Sequence, residues 1–85
     1  MGRALTVHRA TVPTKDRSRY LERLKVRAAH YQSAKCRFWV FEEAALSGAF
    51  IEFMEADDEA TLSRAHASAP DQVLSVFKIY HQVEI

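Results

Sequence analysis

The chain has little that constrains it covalently or breaks it up: one cysteine, two prolines and two glycines in 85 residues. A lone Cys36 excludes an internal disulfide and fits a reducing compartment. So few prolines and glycines, with no low-complexity tract or internal repeat, argue against disorder, collagen and solenoids. Long apolar runs are missing as well. The longest, Phe38 to Phe41, is four residues, too short to cross a membrane. No basic-plus-apolar leader opens the sequence, so the expected location is the cytoplasm.

What is present is the material of one folded domain. Hydrophobic residues make up 48% of the chain and charged residues 27%, the balance of an ordinary globular protein, and the length suits a single core. The net charge of +1 conceals an asymmetry: residues 1–39 carry a net +8 and residues 40–85 a net −7. A basic block of this kind serves a nucleic-acid face, or it packs beside the acidic half and is neutralised there. A net charge near zero favours the second reading.

Hydrophobic periodicity divides the chain into six elements. Residues 3–12 alternate, are β-branched and stop at Pro13, as a strand does before a turn. Thr14 is a candidate N-cap and Asp16 lies in the first turn of a helix over 15–34, with Leu21, Leu24, Ala28 and Tyr31 at helical spacing and Tyr20 beside them. His30 falls opposite that stripe and is expected in solvent. Residues 36–43 and 49–55 are two aromatic-rich strands joined by a short connection containing Gly48, a hairpin signature. Asp57 or Asp58 caps a second helix with Leu62, Ala65 and Ala69 on its buried stripe, and Pro70 ends it. Residues 73–84 alternate as a fourth strand.

The order βαββαβ predicts an α+β, ferredoxin-like domain: a four-stranded antiparallel sheet with both helices on one face. Yet the strands are apolar on both faces. Phe38 and Val40 oppose Trp39 and Phe41, and Phe50 and Met54 oppose Ile51 and Phe53. Leaving such a face wet exposes a patch that soluble monomers rarely carry. Burying it is worth roughly 1.5–3 kcal/mol per large side chain, so a second copy of the chain is the expected cover.

In this order and pattern the chain resembles the dimeric α+β barrel superfamily, which includes antibiotic-biosynthesis-monooxygenase-like and heme-degrading proteins. The resemblance runs through VHRATVPTKDRSRYLERL, KCRFWVFEE, FIEFMEADDEATLSRAH and VFKIYHQVE. It implies a homodimer joined through the sheet faces, with a small apolar or aromatic ligand held in a cleft between sheet and helices. It also implies oxygenase-like or isomerase-like chemistry without a cofactor. Heme-degrading members use an Asn on the first strand, a Trp late in the third and a His on the second helix. This chain has no Asn at all, Phe53 or Met54 stands where the Trp would fall, and only His66 matches. No cofactor is therefore called for, with heme left open.

The residues that carry chemistry follow from the same placement. His66, four after Leu62, is the leading acid/base candidate near neutral pH, with His8 and Glu52 beside it. Glu52 lies between Phe50 and Met54, where a carboxylate needs a partner, and Arg9 or His8 is the expected one. Trp39, Phe53, Met54 and His81 are candidates for lining the ligand cleft, with Arg17 at its mouth for an anionic group. His8, His30, His66 and His81 include no pair three or four apart, so no metal site is expected. A fit of the first six residues to a myristoylation pattern is read as chance, because Leu5 and Thr6 belong to a strand.

Two other functions compete with ligand binding. A non-catalytic association module needs only the apolar sheet face. An RNA-recognition domain shares the element order, and Ala49 to Phe53 fits the second half of its third-strand signature. Leu46, Ser47 and Gly48 break the first half, and Thr6 takes the place of a stacking ring on the first strand.

Overall fold

The computed structural model describes residues 2–70 and 78–85. Strand β1 (Ala4–Thr11) leads through Pro13 and a single 3-10 turn (Thr14–Asp16) into helix α1 (Arg17–Ser33). The hairpin strands β2 (Arg37–Glu42) and β3 (Ala49–Ala56) follow, then helix α2 (Glu59–Ala67) and a short strand β4 (Tyr80–His81). The sheet is antiparallel in the order β2-β3-β1-β4. This is the ferredoxin-like arrangement expected from the sequence. Of the expected fourth strand, residues 73–77 lie outside the described residues, and within 78–84 only Tyr80–His81 pair as strand.

Local chemistry explains the boundaries. Asp16, not Thr14, occupies the N-cap position of α1, and its side chain makes no capping bond. The helix ends in a Schellman pattern: Lys35 takes a positive φ of 66°, and the Lys35 and Cys36 amides donate to the Gln32 and Tyr31 carbonyls. Asp58 caps α2 by accepting the Thr61 amide at 2.7 Å. Gly48, at φ 90°, closes the β2–β3 connection and accepts a hydrogen bond from the Val12 amide.

Register sorts the side chains cleanly. Ala4, Thr6, His8 and Ala10 share the helix side of the sheet with Phe50, Glu52, Met54 and Ala56 and with Phe38, Val40 and Glu42. Two apolar clusters form there. One gathers Ala4, Tyr31, Cys36, Met54, Ala56, Leu62 and Ala65, and the other Tyr20, Leu24 and Phe50. Leu21, assigned to the stripe of α1 by spacing, is instead exposed. The buried line runs through Tyr20, Leu24 and Tyr31, about 100° per residue rotating it away from Leu21.

Candidate functional site

Between the two apolar clusters the helix side of the sheet holds a polar layer. Glu52, 1% exposed, accepts the Tyr20 hydroxyl at 2.7 Å and a guanidinium nitrogen of Arg27. Tyr20 and Arg27 sit seven residues apart on α1, two turns along one face, and both reach down to the central strand β3. The expected partners, Arg9 and His8, are not the ones used. Arg9 projects from the opposite face of β1, while His8 is Glu52's cross-strand neighbour without bonding to it. Burial and the Glu52 carboxylate push the Tyr20 phenol well above its ordinary range.

His66 occupies the other polar position. It is 6% exposed, and α2 lowers it onto β1. Its Nε2 lies 2.8 Å from Thr6 Oγ1, and the Thr6 hydroxyl donates to the Lys78 carbonyl at 3.0 Å. A hydroxyl has one proton, so Thr6 accepts from His66 and Nε2 carries the hydrogen. Nδ1, 2.7 Å from the Tyr31 hydroxyl, is then an acceptor. The chain of bonds fits a neutral imidazole. Burial, with a smaller contribution from His30, lowers its pKa to about 4, and burial raises the Tyr31 phenol to about 12.

His30 is not in solvent. It is half-buried, its Nε2 lies 2.8 Å from the Ala65 carbonyl, and it ties α1 to α2. The spacing of α1 alone could not show that a second helix packs against its flank. Sequence reasoning also missed Thr6, Tyr20, Tyr31 and Arg27 as members of polar networks. The available signal was that buried tyrosines need a partner for the hydroxyl.

The remaining site candidates do not converge on this layer. Met54, between Thr6 and Phe38 in register, is 1% exposed and belongs to the core. Arg17 makes a bidentate pair with Glu42 at 2.7 and 2.9 Å and lies over the Phe50 ring. That guanidinium, with the Gly48 amide, draws the Glu42 carboxyl down to about 2. His81 is exposed on β4 opposite Ala4, which puts it, like His8, on the helix side by register. Among the described residues no cluster of three His, Cys, Asp or Glu is placed to hold a metal.

Trp39 and Phe53 face the other way. The open side of the sheet carries Leu5 and Val7 on β1, Ile51 and Phe53 on β3, Trp39 and Phe41 on β2 and Tyr80 on β4. Trp39, Phe41 and Tyr80 are 45%, 57% and 55% exposed, and the Phe41 and Phe53 rings meet edge to face. At one end of this face Glu55 is clasped between Arg3 at 2.7 Å and Arg37 at 2.9 Å, and Arg37 also reaches Asp57. Arg17, Arg27 and Arg37 of the basic half thus meet Glu42, Glu52 and Glu55 of the acidic half, as neutralisation between halves requires.

No described helix is long and apolar enough to cross a membrane. Comparison with protein-family models, with curated proteins and with solved structures finds no match to this chain.

Proposed function

We propose that the protein is a homodimeric α+β barrel module that binds a small apolar or aromatic molecule, without catalysing its conversion. The observation that carries this reading is the open sheet face, with its exposed rings beside Leu5, Val7, Ile51 and Phe53. Two such faces packed about 10 Å apart interdigitate their side chains into a second core. A chain of this size gains disproportionately from it, since a small domain buries a modest fraction of its surface alone.

Charge supports a second copy as the occupant. The ionic end of the face is neutralised internally by the Arg3–Glu55–Arg37 cluster, which leaves an apolar centre and a polar rim, the anatomy of an isologous interface. A net charge of +1 sets up little repulsion between copies. Nucleic acid is a poorer fit, because Arg3 and Arg37 are engaged by Glu55 rather than offered to phosphate. A binding role is favoured over a catalytic one because both ring nitrogens of His66 and both carboxylate oxygens of Glu52 are taken up by partners inside the fold.

Light scattering on a sizing column at micromolar concentration tests the reading. The expected mass is twice 9.7 kDa, falling to the monomer in Phe53→Glu while circular dichroism is retained. A monomeric wild-type protein overturns the proposal, and binding of single-stranded RNA by that monomer would transfer the sheet face to nucleic acid.

A further inference from the structure

Arg9 differs from the other arginines that lie along the sheet. Arg3 and Arg37 are held by Glu55, Arg17 by Glu42 and Arg27 by Glu52, whereas no carboxylate among the described residues pairs with Arg9. It stands in a row across three strands of the open face, beside Ile51 and, beyond it, Phe41. A groove runs along this row and wraps round the end of the sheet. Its lining takes in Ala10, Glu42 and Phe50 of the helix side as well as Arg9, Ile51 and Phe41 of the open side. The row lies one step towards the end of the sheet from the central Val7–Phe53–Trp39 row, so the dimer reading puts the groove at the rim of the covered face.

We propose that this groove is the ligand site of the module and that it takes an aromatic or branched apolar monocarboxylate. Ile51 and Phe41 supply the apolar walls, and the Arg9 guanidinium binds the carboxylate through paired N–H donors. Glu42 does not oppose the anion, since Arg17 and the Gly48 amide neutralise it. Glu43, an exposed carboxylate side chain in the same lining, selects against a second negative group on the ligand. The inference rests on the ligand-binding reading and adds the place and the charge of the ligand.

The test titrates isotopically labelled protein with 4-tert-butylbenzoate and with its neutral analogue 4-tert-butylbenzamide, following backbone amide shifts. The acid is expected to bind about tenfold or more tightly than the amide, the worth of one charge-assisted hydrogen bond. The largest shifts are expected around Arg9, Phe41 and Ile51. Arg9→Gln should remove the preference while leaving the affinity for the amide in place, and Arg9→Lys should restore part of it. Equal affinities, a preference that survives Arg9→Gln, or shifts confined to another face would each overturn the assignment.

Light scattering on the same samples separates this test from the dimer reading. A dimer without the preference refutes the Arg9 site alone, and a monomer with it refutes the dimer alone. Dissociation of the dimer by Arg9→Gln would mean that Arg9 pairs with a carboxylate of the second copy, and the ligand assignment falls.

Discussion

The Tyr31 hydroxyl lies 2.7 Å from Nδ1 of His66 and donates to the ring that burial holds neutral, the state in which α2 docks. With Nε2–H already directed at Thr6, the ring has no position for a second proton unless Tyr31 turns its hydroxyl away. His66 is therefore a structural base held neutral, and its titration is a stability coordinate.

The sign follows from the two states. In the unfolded chain the ring titrates at its ordinary 6.5, while in the fold burial holds it near 4. Above pH 6.5 both states carry a neutral ring and the contribution is fully present. As pH falls below 6.5 the unfolded chain takes up the proton first, and stability drains away until pH 4. Urea midpoints measured from pH 7.5 to 4 should show this drop in the wild-type protein. His66→Gln should cost about 1–3 kcal/mol at pH 7 and should fall less over that interval. A parallel pH dependence in the two proteins would refute the role.

The fold was legible because its signals are local. Alternation in 3–12, 36–43 and 49–55, the stripe of α1 and the Asp58 cap each depend on residues close in sequence, and the observed order β2-β3-β1-β4 is the ferredoxin-like one. The two-faced apolarity of β2 and β3 was also readable, and register puts Trp39, Phe41 and Phe53 together on the open side as alternation requires. Partners were not legible. Glu52 was recognisable as a carboxylate in need of a cation, but choosing Arg27 over Arg9 depends on how α1 crosses the sheet. His30 and His66 likewise take their meaning from α2 packing on α1 and β1, contacts 35 and 60 residues apart. A hydrophobic pattern specifies which side of an element is buried, not which atom it meets there.

Glu52 and Arg27 should behave as a coupled pair. Removing the carboxylate alone takes the Glu52 counter-charge from a largely buried guanidinium, so Glu52→Ala should cost about 3–5 kcal/mol. Tyr20→Phe, which removes one hydroxyl donor to a buried carboxylate, should cost about 1.5–3 kcal/mol. Replacing both charged partners, as Glu52→Leu with Arg27→Met, should recover much of the loss, because an apolar pair avoids the desolvation of two ions. A denaturation cycle over Glu52→Leu, Arg27→Met and their combination measures the coupling, and simple additivity would refute it.

Cys36 lies three residues past the end of α1 and is buried in the Tyr31 cluster. Burial pushes its thiol pKa up, and its Sγ–H is directed to the Ala34 carbonyl at 3.7 Å, so the nucleophilic thiolate is scarce in the fold. Reaction with a disulfide reagent at pH 8 should be at least tenfold slower than in urea, an order-of-magnitude expectation from thiolate fraction and access. Rates that agree in the two solvents would mean that this end of the core opens freely.

Two backbone positions of positive φ predict opposite outcomes. Gly48 sits at φ 90°, and a Cβ added there would lie 2.5 Å from the Val12 carbonyl oxygen, which is backbone and cannot step aside. Gly48→Ala therefore meets both conformational strain and collision. It should lose at least the 1–3 kcal/mol that a disfavoured backbone conformation costs, by order of magnitude. It should also weaken the Val12–Gly48 hydrogen bond that joins the end of β1 to the hairpin connection. Lys35 has the reverse problem: a side chain occupies the left-handed position, φ 66°, that ends α1, where glycine is the residue without penalty. Lys35→Gly relieves about 1–2 kcal/mol of strain in the folded state. It gives some of that back through the greater freedom of the unfolded chain, so a net gain of roughly 0.5–1 kcal/mol is expected. Thermal unfolding of the two variants side by side should thus shift in opposite directions, and a loss in Lys35→Gly comparable to that in Gly48→Ala would show that the Lys35 side chain makes a contact worth more than its strain.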